Sequence, residues 1–187
     1  MKILPSLLFA ATIAVPFAAS AQTVIPVAPF KSVGLSGGGQ VTLHSGPVQR
    51  VVLTAGSTQY TSFRNEDGNL SIDACNSSCP SGEYVLRIDI TTPDIEGVAV
   101  EGGGGIIGDA GLPAHKLDAA VSGGGHIDMR AVHADAVNAA VDGGGHIQVY
   151  AQSSLHAAVS GGGRIEYWGH PHVDTAISGG GDVRSGS

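Results

Sequence analysis

Six stretches of this 187-residue chain share one pattern: a polar residue, a run of glycines, one variable residue, then Ile, Val or a close equivalent. Four regular copies begin at Ser122, Asp142, Ser160 and Ser178. A degenerate copy begins at Glu101 and an outlying one at Ser36. From Glu101 onward the spacing is 21, 20, 18 and 18 residues. Repetition at this period fixes the fold class before any single residue does. A unit this short cannot bury its own apolar face, so successive units must stack.

The residues around the glycines say how. Before them run Lys116–Val121, Ala136–Val141, Ser154–Val159 and His172–Ile177, and each alternates. One face carries Leu117, Val137, Leu155 and Val173, followed by Val121, Val141, Val159 and Ile177. The other carries Asp118, Asn138, His156 and Asp174, then Ala120, Ala140, Ala158 and Ala176. Alternation with period two is the signature of a half-buried strand. After the glycines, Ile127, Ile147, Ile165 and Val183 point inward with Met129, Val149 and Tyr167, while His126, His146, Arg164 and Asp182 point out. The expected architecture is all-β: a single-stranded parallel β-helix, or solenoid, with glycines at a corner. Handedness is not written in the sequence, and the general crossover rule favours right-handed.

The earlier part of the chain reads as short strands at Ser32–Leu35, Val41–His44, Val51–Thr54 and Leu70–Ala74. Tyr84–Ile90 alternates most cleanly, with Val85 outward, and Pro93 ends it. No window offers a helical stripe. Residues 1–21 read as an export signal: Lys2, an apolar run from Ile3 to Phe17, and the cleavage pattern Ala19-Ser20-Ala21. Residues 22–29 form a lead-in with Pro26 and Pro29, and residues 30–187 form the β-helical unit, with the glycine-rich repeats from 101. After cleavage no segment is expected to span a membrane. Export also predicts that Cys75 and Cys79 form a disulfide rather than half of a metal site. The formal net charge of −7 does not support a nucleic-acid footprint.

With these features in place, the chain resembles the head GIN domain family, the auto-transporter adhesin heads. The resemblance rests on the Ser-Gly-Gly-Gly-x-Ile ladder, on Phe30-Lys31-Ser32-Val33, on the Tyr84–Ile90 strand and on the Thr92-Pro93-Asp94 break. The family's ladder reads Ser-Gly-Ser-Gly-x-Ile, so this chain has Gly where a second Ser is frequent. The resemblance covers residues 30–187 and implies an exported β-helical protein without an established activity.

Few residues offer chemistry. His126 and His146 are equivalent positions one turn apart, with Asp128 and Gln148 two residues on, and two imidazoles with a carboxylate suit zinc or copper. The plainer reading is a solvated row continued by Arg164 and Asp182, since two ligands on a flat sheet rarely enclose a metal. No cofactor is expected. Tyr150, Trp168 and His170 gather late aromatic character, suited to stacking on a sugar or contacting a protein. The alternative for Trp168 is to seal a corner. No catalytic constellation is found, so the expected function is noncatalytic binding of a glycan or protein at the cell envelope, in the periplasm or on the surface. The competing class is a polysaccharide lyase or hydrolase on a β-helix, which would use carboxylates such as Asp128 or Glu166. The alanine row, together with the nearness of the last corner to Ser187, predicts a weak homo-oligomer.

Overall fold

The computed structural model describes residues 22–76, 79 and 84–186. The export-signal segment 1–21 lies outside them. The described residues contain fifteen strands and no helix.

Alternation and glycine together set the repeat. Strand β10 (Ala114–Gly123) reaches a corner at Gly123-Gly124-Gly125, and β11 (His126–Gly143) leaves it. β11 runs on through a register shift between Met129 and His133 to become the first strand of the next turn. β12 (His146–Gly161) does the same one turn later, and β13 (Arg164–Trp168), β14 (His172–Gly179) and β15 (Asp182–Ser185) complete the stack. All pairings among β10–β15 are parallel, and the strands entering each glycine corner are in register, so Val121 lies beside Val141, Val141 beside Val159, and Val159 beside Ile177. The expected β-solenoid is the observed fold.

The inward rows are the core. Leu117, Val137 and Leu155 are buried, as are Val121, Val141, Val159, Ile127, Ile147 and Ile165. Each such side chain contributes about 1.5–3 kcal/mol relative to exposure. In the last turn the same rows lose their cover on one side, and Ile177 is 48% exposed. Tyr167 is half-buried against the core rather than within it.

The corner demands glycine for two separate reasons. Gly143 has φ +114°, in the region side chains disfavour, and a Cβ there would lie 2.7 Å from the Gly123 carbonyl oxygen. Gly145 is stopped by space alone: its Cβ would run into Val121 and come within 2.8 Å of the Gly125 carbonyl oxygen. The middle position differs. A Cβ on Gly144 meets nothing within 4 Å, and the same holds for Gly124, Gly162 and Gly180. This explains why a second Ser can occupy that place in the related ladder while the flanking glycines cannot vary.

The order of turns departs from the order of the chain. β2 (Ser32–Gly37) and β3 (Gln40–Ser45) carry the outlying glycine motif. They pair with β8 (Gly97–Gly102) and β9 (Gly105–Gly108), the degenerate copy, so Gly37 stacks on Gly102. On their other side they pair with β6 (Asn69–Asp73) and β7 (Arg87–Thr92). Outermost lie β4 (Arg50–Ala55) against β7 and β5 (Ser62–Glu66) against β6, both antiparallel. β1 (Thr23–Ile25) adds a further antiparallel strand on β4.

Three expectations therefore change in detail. Strand neighbours are not parallel throughout, because the N-terminal end is closed by strands running backwards. The lead-in contributes a strand despite its prolines, since Thr23–Ile25 precedes both of them. Tyr84 stands before β7 rather than in it, held by its hydroxyl: Ser57 N–H donates to it at 2.6 Å and it donates to the Ser57 carbonyl at 3.0 Å.

Cys75 and Cys79 are joined by a disulfide just after β6. The short loop it closes predicts about 2 kcal/mol of stabilisation from restricting the unfolded chain. Reduction should lower the melting temperature by several degrees without loss of the β-type circular dichroism spectrum, and no shift would show that the bridge adds nothing.

Candidate functional site

The outer face of the strands that follow the glycine corner carries the charged and aromatic side chains. Register places them in columns along the stack. One column is Gly105, His126, His146, Arg164, Asp182. The next is Ile107, Asp128, Gln148, Glu166, Arg184. A third, at the far end of these strands, is His133, Tyr150, Trp168.

His126 and His146 are neighbours by register, but their partners lie in opposite directions. The His126 imidazole lies over Gly105, where the missing side chain leaves room. His146 Nε2 is buried 3.4 Å from Glu166 Oε2, without hydrogen-bond geometry. Among the described residues no group of three or more His, Cys, Asp or Glu is arranged around a metal position.

Glu166 is a hub. Arg184 donates to Oε1 from Nε at 2.8 Å and also from Nη2, and Gln148 donates to Oε2 at 3.0 Å. The Arg184 bonds, followed by that of Gln148, hold the Glu166 carboxyl below its ordinary 4.5. Asp128 is held below 3.8 first by the hydrogen bonds of Arg130, against an opposing push from burial. Both carboxylates are thus kept ionised, the reverse of what a general acid needs. A stability consequence follows for Glu166. Its folded value is depressed, so its contribution is complete above the ordinary 4.5 and is lost as pH falls through the lower folded value. Melting temperature should therefore drop on acidification below that range in the wild type more than in Glu166→Gln. Parallel pH profiles for the two proteins would refute the assignment.

The third column builds a cleft. The His133 and Tyr150 rings are stacked, with centroids 3.9 Å apart and planes 16° apart. The Arg130 guanidinium stands 5.3 Å from the Trp168 ring centroid and is fastened to Asp128 by Nε–Oδ1 and Nη2–Oδ2 bonds of 2.9 and 2.5 Å. Trp168 also rests on Gly186, so it seals a corner as well as lining the cleft. Asp109 also lines it and is paired with His44 Nδ1 at 2.6 Å. The cavity is about 600 Å³. Of the sequence candidates, Tyr150, Trp168 and Asp128 come together here. His170 is exposed and does not line the cleft.

Arg130, His133 and Asp109 were not singled out in the sequence. The repeat spacing aligns Tyr150 with Arg130. The register shift after Met129 moves His133 into that place instead.

A second concavity follows the alanine row. Ala120, Ala140, Ala158 and Ala176 are exposed and in register with Ala99, between a rim of Asp118, Asn138, His156, Asp174 and a rim ending at Ser178. Burial pushes the Asp118 carboxyl up, but hydrogen bonds from Asn138 and Lys116 outweigh it and the net shift is downward.

Residues 29–115 and 110–171 match the sequence model of the family described as "Putative auto-transporter adhesin, head GIN domain". The chain belongs to the head GIN domain family. The fold is similar to that of a solved putative adhesin from Bacteroides fragilis, at 19% identity and a TM-score of 0.56, over 88% of this chain and 96% of that one. A putative adhesin from Parabacteroides merdae aligns at 13% identity and a TM-score of 0.44, over 89% and 96% of the two chains. A putative lipid binding protein from Parabacteroides distasonis aligns at 17% identity and a TM-score of 0.37, over 89% and 96%. At these identities the first likeness speaks to the fold and the other two carry no argument. No curated protein matches the chain in sequence. Among the described residues no helix is long and apolar enough to cross a membrane.

Proposed function

We propose that this head GIN domain is a noncatalytic, extracytoplasmic binding head that engages a glycan in the cleft of His133, Tyr150 and Trp168. The observation that carries the reading is the cleft itself. Adjacent turns bring ring edges, a guanidinium and two carboxylates to one cavity of about 600 Å³, a size suited to a small ligand. The rings are pre-stacked and Arg130 is doubly fastened, so little side-chain freedom remains to be lost on binding. The adhesin description of the family supports a binding role outside the cytoplasm. Asp128 and Glu166 are both held ionised, which leaves neither of them as the general acid that the hydrolase alternative needs. A glycan array probed with purified protein should give hits that Trp168→Ala and His133→Ala both reduce. An array with no hits, or hits indifferent to both substitutions, would remove the proposal. Turnover of a polysaccharide abolished by Asp128→Asn would replace it with the enzyme reading.

A further inference from the structure

We infer that the ligand of this cleft is an uncharged oligosaccharide, not one bearing uronate, sialate or sulfate groups; the inference rests on the glycan-binding reading above. The charge inventory carries it. Among the described residues, Arg130 is the one Lys or Arg lining the cleft. Both Asp128 oxygens accept its hydrogen bonds, at 2.9 and 2.5 Å, and its guanidinium faces the Trp168 ring. Asp109 also lines the cleft. Two carboxylates against one guanidinium leave the Asp, Glu, Lys and Arg charges of the cleft negative, within a chain of formal net charge −7.

An anionic sugar entering this space has no uncommitted guanidinium or ammonium to meet. The charge of Arg130 is already balanced by Asp128, so a carboxylate or sulfate on its remaining N–H donors would sit beside the like charges of Asp128 and Asp109. A neutral sugar meets no such repulsion. A carboxylate engaged by Arg still has lone pairs free, so Asp128 and Asp109 can accept sugar hydroxyls. A guanidinium has five N–H donors, of which two are used here, so Arg130 can donate to a sugar oxygen without leaving Asp128. The ring edges of His133 and Tyr150 supply the apolar contact.

The test is calorimetric titration of the purified protein with two sets of oligosaccharides, at low and high salt. One set is built from neutral hexoses; the other contains uronate, sialylated or sulfated sugars. Binding is expected in the neutral set, with Kd changing by less than about twofold between the salt conditions. His133→Ala and Asp128→Asn should each weaken it by about tenfold. His133 is exposed, so its variant tests the cleft without threatening the fold. Preferential binding of acidic sugars, weakening steeply with salt, overturns the uncharged-ligand inference and leaves the glycan reading in place. No binding in either set overturns both. Neutral binding that neither variant affects overturns the assignment to this cleft.

Discussion

Val141→Asp is expected to abolish cooperative folding. Val141 is 2% exposed and lies between Val121 and Val159, both equally buried. Among the described residues the buried polar side chains are Thr61 and Thr92, neither a cation, so the charge must be buried alone or neutralised at large cost. The penalty should exceed about 4 kcal/mol, a large part of the 5–15 kcal/mol that a domain has in total. Val141→Ala removes two methyl groups from the same site and should cost about 2 kcal/mol, leaving a folded protein with a lowered melting temperature. Thermal unfolding followed by circular dichroism separates these outcomes. An unchanged melting temperature for Val141→Asp would mean that this strand presents its other face to the core.

The second large effect is expected at the corner. Gly143→Val places a β-branched side chain at φ +114° and its Cβ 2.7 Å from the Gly123 carbonyl oxygen. Strain and collision act together, because moving the backbone to relieve one opens the hydrogen bond from Gly144 N–H to the Gly123 carbonyl, 2.9 Å long. A loss of about 3–5 kcal/mol follows. Gly144→Ser is the matched control: nothing lies within 4 Å of the added Cβ, and the change should stay within about 0.5 kcal/mol. Equal sensitivity at both positions would show that the glycines serve chain flexibility rather than the packing of one corner on the next.

The repeating half of the molecule was legible because each of its rows recurs in several turns. Any one valine is ambiguous, but Val121, Val141, Val159 and Ile177 at matched places are not. The N-terminal half gave no such redundancy. β5 joins β6 through the Asp67-Gly68 turn, yet Ser62, Arg64, Asn65 and Glu66 hide the strand, and Phe63 alone packs against the core. The reversed direction of β4 and β5 follows from a long-range pairing that leaves no local mark. The candidate site was half legible. Tyr150 and Trp168 stand out by type, and their 18-residue separation matches the repeat. His133 does not, because a register shift breaks the arithmetic that would have placed it beside Tyr150. Arg130 acquires its role only when Trp168 arrives two turns later.

The position of β2 and β3 within the stack has a kinetic consequence. These strands come early in the chain but are sandwiched between β6–β7 and β8–β9. From Glu101 onward the turns close over steps of 18 to 21 residues, whereas Ser36 meets Glu101 across 65. Closing the longer span costs about 1 kcal/mol more in chain entropy, and contacts so distant in sequence slow folding. The C-terminal turns can therefore zip onto one another by short closures. The early strands must wait, unpaired on one side, for a segment synthesised much later. A chain appearing N-terminus first leaves β2 and β3 without one neighbour until β8 and β9, which carry the second glycine motif, have emerged.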